Sequence, residues 1–215
     1  MGPVFADFEG RGALDLWVTD GHYNRLLRNQ GKQGFEDIGA SNGVSQTNAQ
    51  YVSWGTGVYD FDNDGHPDIL IFHGGLIHLI PQEHTLFRGT GDGHFADVSR
   101  DAGAVLSIRT TARGACFADY DNDGKDDVYI TALEGDRLFH NEGGGKFRDV
   151  TKASGINNAN FGTSAAWLDY DKDGTVELFV ANYVRWESKN DMWCSLHGAT
   201  KSYGHPESFR ETPQH

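Results

Sequence analysis

A short acidic stretch occurs four times in the chain, and its residue types and spacing suit a cation. The third copy, "DYDNDGKDD" (119–127), has carboxylates at positions 1, 3, 5 and 9 and a glycine, Gly124, at position 6. Two like unit charges about 4 Å apart repel by roughly 1 kcal/mol in water and by more near a protein surface. Calcium takes about six to eight oxygen ligands. The four carboxylates, the main-chain carbonyl of position 7 and water therefore predict a calcium site.

The second, third and fourth copies keep a carboxylate at all four positions, and we predict one calcium ion in each. The predicted ligands are Asp60, Asp62, Asp64, Asp68 and the carbonyl of His66; Asp119, Asp121, Asp123, Asp127 and the carbonyl of Lys125; and Asp169, Asp171, Asp173, Glu177 and the carbonyl of Thr175. The first copy has Asp7, Glu9, Arg11 and Asp15 at these positions. Because the Arg11 guanidinium stands where a cation would sit, we expect no metal there. Asp126 has no ligand position, and we expect it to face solvent.

The acidic stretch differs from an EF-hand and from common zinc and magnesium sites. An EF-hand begins with the same letters, but it needs a glutamate at position 12 and flanking helices. Position 12 here is Ile71, Ile130 or Val180. Carboxylates in place of Cys and His argue against zinc, and magnesium prefers fewer protein ligands. An acidic Asx turn without metal is the alternative for any single copy.

The acidic stretch alternates with a second motif, seen as "LFRGTGDGHFADV" and "LFHNEGGGKFRDV". The repeats begin near Asp7, Asp60, Asp119 and Asp169, and each predicts four short strands with turns between them. Four strands per repeat of about 50 residues indicate a β-propeller blade. We predict an all-β fold in which residues 1–183 form about three and a half four-stranded blades, with the acidic loops in hairpins. We expect a piece of a larger ring, with seven blades as one candidate number, and an irregular segment at 184–215. A closed four-bladed ring is the alternative, and it would need its last blade completed by something else.

Composition restricts the partners. The formal net charge of −13 argues against nucleic acid or an anionic membrane surface as the partner, and three calcium ions would bring it to −7. No apolar run approaches the roughly 20 residues of a membrane helix. The first residues, "MGPVFADFEG", lack an export signal, as in a fragment that begins inside a structural unit. Cys116 and Cys194 do not form a disulfide framework, and Cys116 is expected to be buried.

These paired motifs resemble the FG-GAP/VCBS repeats of calcium-loop propellers, and over residues 1–183 they are similar to the ASPIC/UnbV (cartilage acidic protein-like) family. The resemblance implies a secreted or periplasmic calcium-binding propeller that binds protein or glycan ligands, with a role in adhesion. The family's cysteine-containing segment is similar to residues 194–209, where Cys194 and Tyr203–Pro206 align. Gly204 stands in place of the second cysteine, so we expect Cys194 to be free or differently paired.

Particular residues suggest two further functions. The second repeat carries an insertion within 72–84, and its side chains His73, His78, Glu83 and His84 are candidates for a propeller-based lyase or hydrolase acting on polysaccharide. Their spacing fits no acid–base or metal template, and we favour a polar loop without catalysis. The tryptophans Trp54, Trp167, Trp186 and Trp193 are candidates for sugar stacking, although core packing is expected for Trp54 and Trp167.

Overall fold

The structure is a computed structural model that describes residues 2–21, 23–44, 52–74, 81–184 and 193–195. The described elements include fourteen β-strands, a 3-10 turn at Gly31–Gln33 and an α-helical turn at Ala104–Ser107. The strands are β1 Pro3–Ala6, β2 Asp15–Val18, β3 Arg25–Asn29, β4 Phe35–Asp37, β5 Ser53–Tyr59, β6 Asp68–His73, β7 Thr85–Gly89, β8 Phe95–Asp97, β9 Ala112–Ala118, β10 Asp127–Ala132, β11 Arg137–Gly143, β12 Lys146–Asp149, β13 Gly162–Leu168 and β14 Glu177–Asn182.

The strands form successive antiparallel sheets, each made of neighbours in sequence. Three sheets have four strands, in the orders β1-β2-β3-β4, β5-β6-β7-β8 and β12-β11-β10-β9, and a fourth pairs β13 with β14. We call them blades 1 to 3 and half-blade 4. The first strand of each sheet contacts the first strand of the next, from β1 through β5 and β9 to β13. The sheets are therefore arranged around their first strands, which confirms the predicted partial propeller.

Close approach of the first strands depends on small residues. A Cβ atom added to Gly57 of β5 would collide with the ring of Phe117 on β9. One added to Gly114 of β9 would lie 2.8 Å from the carbonyl oxygen of Thr163 on β13. Glycine therefore makes room for an aromatic ring of the next blade at Gly57 and for its backbone at Gly114.

The hydrophobic core lies between the blades. Strands β6 and β10 are buried along their whole length, because their alternate side chains face the blades on either side. The seam between blades 1 and 2 is built from Trp17, Leu26, Ile69, Ile71 and Phe87, and the seam between blades 2 and 3 from Phe61, Leu70, Phe72, Leu86, Val128, Ile130, Phe139 and Phe147. Burying each such side chain contributes about 1.5–3 kcal/mol.

The two ends of this arc of blades carry exposed apolar side chains. Phe5 on β1 is 57% exposed, and Phe179 on β14 is 52% exposed. Both lie on blades that have a described neighbour on one side only. The predicted domain boundary near 183 stays a prediction, because only Val184 and residues 193–195 are described beyond it. Among the described helices, none has the length and apolar character needed to cross a membrane.

Candidate metal centres

The four acidic stretches form loops between the first and second strand of each sheet. We call them loop 1 (7–15), loop 2 (60–68), loop 3 (119–127) and loop 4 (169–177). In loop 2 the carboxylate of Asp60 accepts two main-chain hydrogen bonds, from Asp64 N–H (2.9 Å) and from Gly65 N–H (2.8 Å). The aspartates at position 1 of the other loops accept the same pair of bonds. One carboxylate therefore organises each loop from inside.

All four loops have a left-handed backbone at position 4 and at position 6. Position 6 is always glycine, with a φ angle of 90° at Gly65 and 86° at Gly124. Position 4 is Gly10, Asn63, Asn122 or Lys172, with φ angles between 59° and 65°. Glycine and asparagine tolerate this conformation better than most residues do. The sequence indicates the requirement at position 6, whereas the requirement at position 4 was missed.

Position 9 is a buried carboxylate in loops 1, 2 and 3, whereas Glu177 of loop 4 is half-buried. In loop 2, Asp68 is 1% exposed, and its two oxygens accept from Phe61 N–H and Gly89 N–H, both at 2.9 Å. In loop 3, Asp127 accepts from Asn141 N–H (2.7 Å) and Tyr120 N–H (3.3 Å). Burial raises the pKa of Asp68 to about 7 and that of Asp127 to about 6. In these two loops the position-9 residue therefore joins the loop to the third strand of its blade.

Three loops bring carboxylate oxygens together at positions 1, 3 and 9. In each group the three oxygens lie within 4.8 Å of one another, and the groups are Asp60, Asp62 and Asp68; Asp119, Asp121 and Asp127; and Asp169, Asp171 and Glu177. These residues could hold a metal ion. The position-5 aspartates instead accept the main-chain N–H of position 7, as Asp64 does from His66 at 2.9 Å. The assignment of position 5 and of the position-7 carbonyls as ligands stays a prediction.

The donor chemistry of loop 2 fits a hard divalent cation. Asp62 Oδ1 is buried and has no hydrogen-bond partner among the described residues. Burial, followed by the charge of Asp64, raises the pKa of Asp62. The group supplies only oxygen atoms, which are the ligands that calcium prefers. A cation at this group would satisfy the unpaired oxygen and relieve the repulsion between the carboxylates.

Two arginines, Arg11 within the loop and Arg28 on β3, pair with the carboxylates of loop 1. Arg11 makes an ion pair with Glu9, and its Nη2 donates to Asp15 Oδ1 at 2.7 Å. Arg28, from β3, makes a second ion pair with Glu9. The expected guanidinium is therefore present in the loop, as the sequence indicated. The contribution of Arg28 was missed, because it lies in the other motif.

Loop 3 has two nearby basic groups. His140 of β11 places Nδ1 3.1 Å from Asp127 Oδ1 and 3.4 Å from Asp121 Oδ2. Lys125 Nζ makes an ion pair with Asp123. His140 occupies the third-strand position that Arg28 occupies in blade 1 and Arg88 in blade 2. The argument against zinc considered only residues within the loop, whereas in loop 3 a histidine nitrogen reaches the carboxylates from another strand.

Two predictions about the surroundings of loop 3 are corrected. Asp126 was expected to face solvent, but it is half-buried, and burial raises the pKa of its carboxyl group. Its main-chain carbonyl accepts a hydrogen bond from Asn141 Nδ2 at 3.3 Å. Cys116 was expected to be buried but is half-buried, and burial raises the pKa of its thiol to about 12.

Two of the candidate catalytic histidines, His73 and His84, are core residues and not part of an exposed polar loop. His73 is fully buried, and its ring contacts Ser53 Oγ (3.3 Å) and Thr85 Oγ1 (3.0 Å). His84 is 3% exposed, and its Nδ1 accepts from His73 N–H at 3.2 Å. Burial lowers the pKa of both imidazoles to about 3. Glu83 is exposed, and His78 lies outside the described residues.

His84 has counterparts in the neighbouring blades, which explains its burial. Asn24 Oδ1 accepts from Asp20 N–H at 3.0 Å, and Asp136 Oδ1 accepts from Ala132 N–H at 3.0 Å. Each acceptor stands directly before the third strand of its blade and bonds the end of the second strand. His84 does the same across the longer connection in blade 2. His84 therefore joins the end of the insertion to the end of the second strand by a hydrogen bond.

The remaining candidates occupy different environments. Trp167 stacks on Tyr120 with ring centroids 6.0 Å apart, as expected of core packing. The ring of Trp54 lies under the Arg113 guanidinium at 4.9 Å. Trp193 is 65% exposed, while Trp186 and Tyr203–Pro206 lie outside the described residues. Cys116 and Cys194 are both free and half-buried, so the two described cysteines are not paired with each other.

The sheets and loops together define a β-propeller assembled from acidic-loop repeats. A family model described as an FG-GAP-like repeat matches the chain over residues 7–71, 81–130 and 119–180. The matched ranges cover more than half of the chain, which therefore belongs to the FG-GAP-like repeat family. The repeat boundaries predicted from the acidic motif fall within these ranges.

Particular relatives support the narrower resemblance. The chain is 28% identical over 130 residues to cartilage acidic protein 1 of Mus musculus, and equally to that of Homo sapiens. The match covers 59% of this chain and 19% of each relative, so the chain spans about a fifth of the length of the curated relatives it matches. This match agrees with the predicted similarity to the cartilage acidic protein-like family.

One solved structure with a similar chain path is an Agrocybe aegerita lectin, in a structure that concerns recognition of non-reducing terminal N-acetylglucosamine. The TM-score is 0.48 at 20% identity, and the match covers 83% of this chain and 46% of the lectin chain.

Proposed function

We propose that this chain is a calcium-binding β-propeller module that acts outside the cytoplasm and binds a protein or glycan ligand. The observation that carries the calcium assignment is the unpaired, buried Oδ1 of Asp62 within an all-oxygen group. When bound, calcium would neutralise the carboxylates of loops 2, 3 and 4. Asp60, Asp62 and Asp68 would hold it in loop 2, and the corresponding residues would do so in loops 3 and 4.

The chemistry of the loops also supports the location. Extracellular calcium modules bind the ion at about 10⁻⁴–10⁻³ M, a concentration that the cytosol does not sustain. His140 and Lys125 compete with a cation for the carboxylates of loop 3, which favours a weak site of this kind. We therefore place the module in an extracellular or periplasmic compartment.

Calcium binding is tested by thermal unfolding and titration calorimetry of the purified chain. We expect calcium to raise the melting temperature and a chelator to lower it, with a stoichiometry of about three. The variants Asp62→Ala, Asp121→Ala and Asp171→Ala should each remove one site. A melting temperature that responds to neither calcium nor chelator would contradict the assignment.

A ligand surface is available at the ends of the first strands opposite the acidic loops. The Arg113 guanidinium lies between the rings of Trp54 (4.9 Å) and Phe161 (5.9 Å), and Phe161 contacts Tyr183 edge-on at 6.0 Å. Tyr183 is 50% exposed. This aromatic row crosses blades 2 to 4, and amphipathic rings of this type are common in binding surfaces. We assign binding of the protein or glycan ligand to this row of side chains.

A binding role rather than catalysis is also part of the proposal. The two histidines that were candidates for acid–base chemistry have pKa values of about 3 and bond the backbone and hydroxyl groups of the core. A glycan array and a peptide array, each probed with wild type and with Tyr183→Ala, test the ligand assignment. Signals that are equal for both proteins would remove the aromatic row as the ligand surface.

A further inference from the structure

Loops 2 and 3 are joined by a buried chain of hydrogen bonds across the seam between blades 2 and 3. Asp68 Oδ2 accepts from Phe61 N–H at 2.9 Å. The carbonyl oxygen of Phe61 accepts from Asn141 Nδ2 at 3.2 Å. The main-chain N–H of Asn141 donates to Asp127 Oδ1 at 2.7 Å. None of these four residues is more than 1% exposed, so water does not compete for the bonds.

The middle of this chain fixes the backbone that leads to a candidate ligand. The carbonyl of Phe61 shares its peptide plane with the N–H of Asp62, so the bond from Asn141 restrains the peptide that enters Asp62. Gly145, in the turn after β11, also donates its N–H to the Phe61 carbonyl, at 3.3 Å. A Cβ added to Gly145 would lie 3.8 Å from the Cβ of Asp62. Asn141 and Gly145 of blade 3 therefore restrain the backbone of loop 2 in the neighbouring blade.

Asn141 also supports its own loop. Its Nδ2 lies 3.3 Å from the carbonyl oxygen of Asp126, and its main-chain N–H restrains Asp127. One residue therefore orients carboxylate ligands in two neighbouring loops. Buried networks of this kind restrain their members together, and their pairwise bonds reinforce one another.

We propose that Asn141 is a positioning residue that couples the binding of divalent cations at loops 2 and 3. The inference rests on the proposed calcium binding and adds that the two sites are not independent. An ion that orders Asp62 and Asp68 also fixes the Phe61 peptide, and Asn141 carries this restraint to Asp127. The second ion then binds loops that are already ordered, and by linkage each site strengthens the other.

The neighbouring blades provide internal comparisons for this assignment. Gly89 occupies the equivalent position in blade 2, so no side-chain amide crosses the seam between blades 1 and 2 from there. Asn29 occupies it in blade 1 and makes the local bonds, to Asp15 Oδ1 (2.8 Å) and to the Leu14 carbonyl (3.0 Å). Both of these partners belong to loop 1 of the same blade. Asn141→Gly therefore gives blade 3 the residue that blade 2 has at this position. Asn29→Gly, the same change in blade 1, is the matched control.

The test follows the main-chain amide resonance of Gly124, which lies in loop 3, during calcium titrations monitored by NMR. Disabling loop 2 with Asp62→Ala should weaken calcium binding at loop 3 by about fivefold or more. In the Asn141→Gly background, the same Asp62→Ala change should leave loop 3 affinity unaltered. In the Asn29→Gly background, the full effect of Asp62→Ala should remain. Equal loop 3 affinity with and without Asp62 in the wild-type background would overturn the coupling.

A second measurement does not depend on the folding of an Asn141 variant. In Asp121→Ala, where loop 3 is disabled, calcium should still shift the side-chain amide resonances of Asn141 through loop 2, and those of Asn29 should not move. Unshifted Asn141 amides, while the Gly65 resonance of loop 2 responds, would overturn the coupling alone. A Gly65 resonance and a wild-type Gly124 resonance that both ignore calcium would overturn the calcium assignment itself, and the coupling with it.

Discussion

Loops 1 and 2 have the same backbone conformation but pair their carboxylates with different basic side chains. In both, position 1 accepts the N–H groups of positions 5 and 6, and positions 4 and 6 are left-handed. Loop 1 neutralises its acids with Arg11 and Arg28. In loop 2 the described ion pair is a longer one, from Arg88 Nη1 to Asp62 Oδ2 at 3.9 Å. The loop shape therefore does not depend on which cation is used.

This difference separates two roles within the nine-residue motif. Positions 4 and 6 shape the turn, and the carboxylates of positions 1 and 9 accept main-chain hydrogen bonds that hold the loop together and join it to the blade. Positions 3 and 5, together with one residue of the third strand, decide how the remaining negative charge is compensated. A repeat can therefore lose its metal ligands and still keep its place in the propeller. The variants that follow test each role separately.

The largest expected effect concerns position 9, where the two loops should behave alike. Asp68→Ala leaves two buried N–H groups, of Phe61 and Gly89, without an acceptor, and Asp15→Ala removes the acceptor of the Asn29 N–H. We expect each variant to lose about 2–4 kcal/mol of unfolding free energy, measured by urea denaturation in a chelator. Asp101→Ala, at an exposed side chain, is the control and should change stability by less than about 0.5 kcal/mol.

An Asp68→Ala variant as stable as wild type in the chelator would break the division of roles. It would mean that position 9 acts only as a metal ligand, and that loop 2 is built differently from loop 1.

A smaller effect is expected when loop 1 is given the ligands of loop 2. Arg11→Asp restores an acid at position 5 and leaves Arg28 in the position that Arg88 has in blade 2. In a chelator it should lose about 1–3 kcal/mol, because Glu9 and Asp15 lose a charged partner. Calcium should recover part of this loss and raise the stoichiometry by one, as measured by calorimetry.

Arg11→Ala is the matched control for this conversion. It removes the same ion pairs but adds no carboxylate, so its calcium stoichiometry should equal that of wild type. If Arg11→Asp and Arg11→Ala respond to calcium equally, the ligand assignment of position 5 is wrong, and the difference between loops 1 and 2 has another origin.

The repeat and its four strands, the second strand of each blade above all, could be predicted from the sequence because the motifs that indicate them are local. The acidic loop marks its own flanking strands, and the segments "DILIFH" and "DVYITA" coincide with β6 and β10. Arg28, His140 and Asn141 could not be placed beside the loops from spacing alone, since they lie on the third strand. The shared role of Asn24, His84 and Asp136 could not be predicted either. Each accepts the equivalent main-chain hydrogen bond in its blade, but the residue type differs in every repeat, so no sequence motif marks the position.

The last expected effect is a pH dependence that should distinguish the ion-free state of loop 2. Burial raises the pKa of Asp68 to about 7 in the folded chain, against an ordinary value of 3.8. Between these values the folded state holds a proton that the unfolded state has released, so the unfolding free energy falls as pH rises. In a chelator, stability should therefore decline from about pH 4 to pH 7, and Asp68→Asn should reduce the slope. Saturating calcium favours the ionised carboxylate and should remove the decline, whereas an unchanged slope in calcium would mean that Asp68 is not a ligand.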